Sequence, residues 1–187
     1  MKNKSQLIYL FENMEKEKLI REIFVINAEK KPVPLDDLLY ILDETMDIEL
    51  VLSIIEGLLY RISEVDEQIM SRYKTMSNVV QRHLVLLLSK SISSKHMLFL
   101  LEEYFYNPYM RPVIRKHAFE NKKFLFMNLV RYFEDVPFNE DNVNIAQQIL
   151  KTIPRDTILS CVGVFSGTKL LDVYYAMPVD EREKLDT

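Results

Sequence analysis

Few side chains in this 187-residue sequence stand at spacings that support chemistry, and each candidate has a plainer reading. Gly163-Val164-Phe165-Ser166-Gly167-Thr168-Lys169 has the flavour of a phosphate-cradling loop. The P-loop pattern sets four residues between its glycines and follows Lys with Ser or Thr. Here three residues intervene and the order is Thr-Lys, so the segment reads as a helix-to-helix turn. Gly167 then stands just past one helix and Thr168 caps the next. His83, His96 and His117 are too scattered for a metal site, whose ligands sit a few residues apart. His83 and His96 fall on neighbouring expected helices, so a two-ligand contact is conceivable, but a surface or half-buried imidazole is the default. Cys161 lies among Ile158, Leu159 and Val162 and reads as a small core hydrophobe. The pairs Asp36/Asp37, Glu102/Glu103 and Glu140/Asp141 fall at helix starts or on solvent faces, with no reason for a raised pKa. No catalytic, cofactor-binding or metal-binding residue is therefore assigned, and the chain is expected not to be an enzyme.

Charge carries more information. Residues 1–76 hold 10 Lys+Arg against 15 Asp+Glu, residues 77–133 hold 9 against 3, and residues 134–187 hold 5 against 10. The balances are −5, +6 and −5, so a basic middle sits inside an acidic protein. Most of that excess lies in Arg111, Arg115, Lys116, Lys122, Lys123 and Arg131, interleaved with Tyr104, Tyr106, Tyr109, Phe119, Phe124 and Phe126. Tyr and Arg are common anchors at protein interfaces. Tyr104, Tyr106, Tyr109, Arg111, Arg115, Lys116, Lys122, Lys123 and Arg131 are the candidate partner-binding set. The expected partner is a protein with an acidic surface, and the expected role is a scaffold or adaptor. The bland reading is that these cations face acidic helices within the fold or sit in water, where isolated charges do little. Nucleic acid is the alternative, since cations and rings also grip phosphates and stack bases. A sequence pI near 5.5 weighs against it.

The elements that position these residues are marked by corners. Apolar-Pro-x-Asp/Asn occurs four times: Val33-Pro34-Leu35-Asp36, Val136-Pro137-Phe138-Asn139, Ile153-Pro154-Arg155-Asp156 and Met177-Pro178-Val179-Asp180. Proline drives the preceding residue out of the helical region. The Asp or Asn two places on is expected to cap the next helix. Between corners, apolar residues recur at helical spacing. Asp47 is expected to cap the helix carrying Ile48 to Ile62, Ser63 to begin another, and Ser94 to cap a third. Helices are also expected over about 111–119 and 122–133, and in the last turns from Thr157 to Leu185, where Asp180 and Glu183 have capping-box spacing. Leu35 and Tyr40 stand where a hydrophobic staple would put them. Phe24-Val25-Ile26 and Val162-Gly163-Val164-Phe165 are rich in strand formers but short, and read as helix ends. Only three glycines are present; Gly57, inside a helix, marks a close helix crossing.

The fold expected is all-α and multi-helical, either a compact helical bundle or a right-handed α-α superhelix. Lys74-Thr75-Met76-Ser77-Asn78 is the candidate seam between an N-terminal subdomain, 1–75, and a repeat-like C-terminal one, 76–187, unless the two form one continuous domain. The one cysteine excludes an internal disulfide. Met1-Lys2-Asn3-Lys4-Ser5 is basic, but Glu12 and Glu15 break the apolar stretch after it, so no signal peptide is read there. No apolar run approaches the roughly 20 residues of a membrane span. A cytoplasmic protein is expected.

Ile153 to Leu185, with its apolar-Pro-acidic corners and the Leu170-Leu171 pair, resembles the short helical repeats of the armadillo and HEAT-like class. It is similar in style to the helical domains of the flagellar rotor switch protein and the cytoplasmic N-terminal domain of MgtE-type magnesium transporters. The resemblance covers about a fifth of the chain. It implies a helical interaction module and nothing about chemistry.

Overall fold

The computed structural model describes residues 5–136, 139–165 and 167–183. Met1 to Lys4, Pro137 and Phe138, Ser166 and the expected run of the last helix to Leu185 lie outside them, as does the Glu183 side chain of the expected capping box. The described residues are helical throughout, with no strand. Thirteen α-helices appear: α1 Gln6–Glu12, α2 Lys16–Ala28, α3 Leu35–Glu44, α4 Ile48–Leu59, α5 Ile62–Arg72, α6 Asn78–Ser89, α7 Ser94–Tyr106, α8 Arg111–Ala118, α9 Lys122–Asp135, α10 Glu140–Leu150, α11 Arg155–Phe165, α12 Lys169–Ala176 and α13 Val179–Glu183. A 3-10 turn, Tyr73–Thr75, sits between α5 and α6. Both strand-like stretches are the ends of helices, α2 and α11.

The corners work differently from the expectation at three of four sites. Only Asn139 caps as foreseen, its side chain accepting from the Asn142 amide at 2.8 Å. At the others the helix begins directly after proline: α3 at Leu35, α11 at Arg155, α13 at Val179. The proline carbonyl starts each ladder, Pro34 accepting from Leu38, Pro154 from Ile158 and Pro178 from Arg182. Proline supplies a pre-set φ at the entry. Asp36, Asp156 and Asp180 fall inside the first turn, where a carboxylate favours the positive end of the helix dipole. Asp47 caps α4 as expected, accepting from the amides of Glu49 and Leu50. α5 begins at Ile62, one residue before Ser63. Ser93, not Ser94, is the α7 cap residue, and its side chain makes no capping bond. Tyr40 does not staple Leu35: it is exposed and meets Phe11 edge to face, with centroids 6.3 Å apart.

The chain forms two compact units, residues 1–91 and 92–187. The expected seam at 74–78 falls inside the first. Tyr73 is buried there, Gln81 donates to its carbonyl at 2.9 Å, and α6 packs on α3 and α4. A stripe of Val80, Leu84, Leu87 and Leu88 ties α6 backward along the chain.

In the first unit α2 and α4 run parallel. Lys16 at the start of α2 pairs with Asp47 and Glu49 at the start of α4, at 2.9 and 2.5 Å. Further along, Ile23 and Asn27 lie against Gly57. Beyond both helices the Arg61 guanidinium donates to the carbonyls of Ile26 and Lys31. α1 packs on α2 and α3. Leu19, Ile41, Leu42, Ile54, Leu58, Ile69 and Leu84 fill the centre.

The second unit repeats the habit of packing a helix on the one two places ahead: α7 on α9, α9 on α11, α10 on α12. Its core is more aromatic. Phe105 stacks on Tyr132 at 4.9 Å and meets Phe133 edge to face at 5.5 Å, over Leu101, Leu125 and Leu129. Such ring pairs contribute about 1 kcal/mol beyond the area they bury. Cys161 is buried, as read from its neighbours.

Candidate protein-interaction face

The basic segment folds as α7, a four-residue turn, α8, a three-residue turn and α9, all in the second unit. α8 packs on α7, and α7 on α9. Ile114, Ala118, Leu125 and Phe126 point to the core, which turns the intervening cations outward. Asn121 begins α9, its side chain accepting from the Phe124 amide at 3.0 Å.

The nine candidate residues divide into supports and presented groups. Tyr104 is 1% exposed and belongs to the core, its ring 4.9 Å from that of Phe119. It supports the face: its hydroxyl accepts from Arg115 Nε at 3.2 Å and Nη2 at 2.7 Å. Arg111 and Arg115 both lie over its ring, at 6.0 and 5.9 Å from the centroid. Arg111 is half-buried and closes the end of α7, donating to the carbonyls of Tyr104 at 2.8 Å and Phe105 at 2.9 Å. Those are carbonyls a helix end leaves unsatisfied. Arg131 is exposed and reaches Ser94 Oγ at 3.3 Å.

The presented groups are Tyr106, Tyr109, Arg115, Lys116, Lys122 and Lys123. Tyr106 is 62% and Tyr109 90% exposed. Arg115, Lys116 and Lys123 are exposed, and Lys122 is half-buried. Burial, with the Arg115 charge beside it, holds the Lys122 amine below its ordinary pKa. Burial also pushes up the Tyr132 phenol, which lies next to Tyr106.

Among the described residues no carboxylate pairs with Arg115, Lys116, Lys122 or Lys123. In the first unit Lys16 is matched by Asp47 and Glu49, Lys18 by Glu15, Lys31 by Glu29, Arg61 by Glu64 and Arg72 by Asp36, whereas Arg21, Lys30, Arg82 and Lys90 make no ion pair with a described residue. Part of the α8 charge has a local reason, because Arg115, Lys116 and His117 occupy its last turn and suit the negative end of the dipole. Lys122 and Lys123 have the opposite relation: they open α9, where the dipole is positive and no acidic side chain stands in the first turn.

The other chemical candidates resolve plainly. His83 is half-buried on α6 with Nδ1 unbonded, and burial lowers its pKa. His96 is buried on α7 and His117 is exposed on α8. Among the described residues no three His, Cys, Asp or Glu gather where they could hold a metal ion. Gly167 adopts φ +85°, the left-handed turn expected of it. Thr168 is the cap residue of α12, but its hydroxyl makes no capping bond. No described helix is long and apolar enough to cross a membrane.

One feature of the first unit went unread in the sequence. A groove of about 800 Å³ runs between α2 and α4, floored by Ile20, Ile23 and Gly57, with Phe24 and Tyr60 at its edges. Phe24 is 71% and Tyr60 86% exposed. The signals were Gly57 in mid-helix and the Ile20/Phe24 spacing on the outer side of α2.

No family model, curated protein or solved structure matches the chain.

Proposed function

We propose that this chain is a non-enzymatic interaction module, a scaffold or adaptor, that holds an acidic protein surface against the α8–α9 face. One observation carries the reading: four cations close in sequence on α8 and α9, with two exposed tyrosines nearby, have no carboxylate partner among the described residues. Arg115 supports it further, because the buried Tyr104 hydroxyl fixes its guanidinium in place. A pre-set side chain gives up less entropy on binding. Tyr106 and Tyr109 add rigid amphipathic area next to the charge.

Comparative affinity capture tests this. Proteins retained by the native chain should be depleted by at least about tenfold with Arg115→Glu/Lys116→Glu, the scale expected when two interface charges are reversed. A retained set unchanged by the reversal would rule out the face. A salt-dependent shift of labelled RNA or DNA by the native chain alone would favour the nucleic-acid reading instead.

A further inference from the structure

We propose that the α2–α4 groove docks a second copy of this chain, the groove of one copy meeting the same groove of the other across a two-fold axis. The contact lies wholly in the first unit and does not depend on the α8–α9 face.

The patch carries both halves of such a contact. Its hollow, about 800 Å³, is floored by Ile20, Ile23 and Gly57. Its knobs are Phe24 on α2 and Tyr60 at the end of α4, which stand on the two walls 71% and 86% exposed. An isologous dimer needs hollow and knob on one patch, because each copy must supply both.

Charge on the rim is self-complementary as well. Lys30 and Glu56 line the groove and are exposed. Neither makes an ion pair with a described residue. They belong to opposite walls and stand at different heights. Gly57 lies against Ile23 and Asn27, so Glu56 is level with the middle of α2, whereas Lys30 stands past its end. A two-fold axis in the plane of the groove, midway between them, sets the Lys30 of each copy over the Glu56 of the other. The remaining rim charges, Arg61 and Glu64, already pair with each other. The rim is neutral in sum, so two copies meet without net repulsion. Large aromatic side chains carry about 150–250 Å² each, so the four rings of a pair, with the walls they cover, bury on the order of 1,200 Å² in total. That is the lower edge of a specific interface, and association in the micromolar range is expected.

Sedimentation velocity of the full chain over roughly 1 to 300 µM, a span that covers micromolar association, tests this. The native chain should pass from monomer to dimer. Phe24→Ser and Tyr60→Ser, each at an exposed ring, should weaken dimerisation by at least about tenfold. Lys30→Glu and Glu56→Lys should each do the same, because like charges then face each other twice. Mixed in equal amounts, those two charge variants should pair with one another to within about threefold of native strength, since each supplies the charge the other lacks. Helical circular dichroism should be unchanged in every variant. A native chain that stays monomeric throughout would overturn the proposal. So would a dimer that both ring variants leave unchanged, or charge variants that do not recover on mixing. A monomer whose groove amides shift on addition of an amphipathic helical peptide would give the groove to a foreign helix and overturn the second copy.

Discussion

Tyr104 shows how one side chain can be misread and still matter to the site. In sequence it sits among arginines and other tyrosines and looks presented. In the structure its ring is core and only its hydroxyl meets the face, as the acceptor that holds Arg115. The stripe Met97, Leu100, Leu101, Tyr104 and Phe105 carried the answer, because those positions share one side of α7. Arg111 was harder. Its role depends on α8 turning back so that the guanidinium reaches two α7 carbonyls, a relation between helices that no local pattern encodes. Tyr104→Phe is expected to lower unfolding free energy by about 1 kcal/mol, the net worth of a hydrogen bond to a charged donor that water can replace. Urea titration checks the loss, and an unchanged helical circular dichroism signal should accompany it. No change in urea midpoint would mean the hydroxyl does not anchor Arg115.

At the scale of elements, the helices were legible and their first residues less so. Periodic apolar residues, scarce glycine and proline corners mark a succession of rods but not their number: the spacing points to roughly eight to eleven, and thirteen α-helices are present among the described residues. The corner pattern misplaced three starts by about two residues because proline, with its fixed φ, can itself begin a helix. Gly57 shows a local signal with a tertiary cause. A Cβ there would lie 2.6 Å from Asn27 Nδ2 and 3.2 Å from Ile23 Cγ2. The Asn27 amide is the far end of a side chain and can move, whereas Ile23 is buried and cannot give much. Gly57→Ala should therefore come out near neutral, the gain in helix propensity of about 1 kcal/mol offsetting the crowding. Gly57→Val should destabilise by about 2 kcal/mol, as overpacking does where two helices cross. Thermal or urea unfolding of the pair decides it. Equal stability of the two variants would mean that α2 and α4 do not meet closely at this residue.

At the scale of the whole molecule, the seam and the charge pattern had different fates. The polar run at 74–78 looked like a boundary, but burial of Tyr73 and the packing of α6 keep it inside the first unit. Polarity marks a break between helices, whereas a boundary between units depends on which buried stripes face each other. The acidic-basic-acidic arrangement was readable by counting, and its basic middle includes α7, α8 and α9 of the second unit. Counting could not separate Arg111 and Tyr104, which support the face, from Arg115, Lys116, Lys122 and Lys123, which have no carboxylate partner among the described residues.

The most direct test of the account is to titrate the 15N-labelled chain with an Asp/Glu-rich peptide and map the amide shifts. Saturable changes should concentrate at residues 106–109, 115–123 and 131 and weaken as salt is raised, because exposed charge pairs are screened. Shifts that centre on the α2–α4 groove, or no shifts at low salt, would contradict the claim that the α8–α9 face receives an acidic partner.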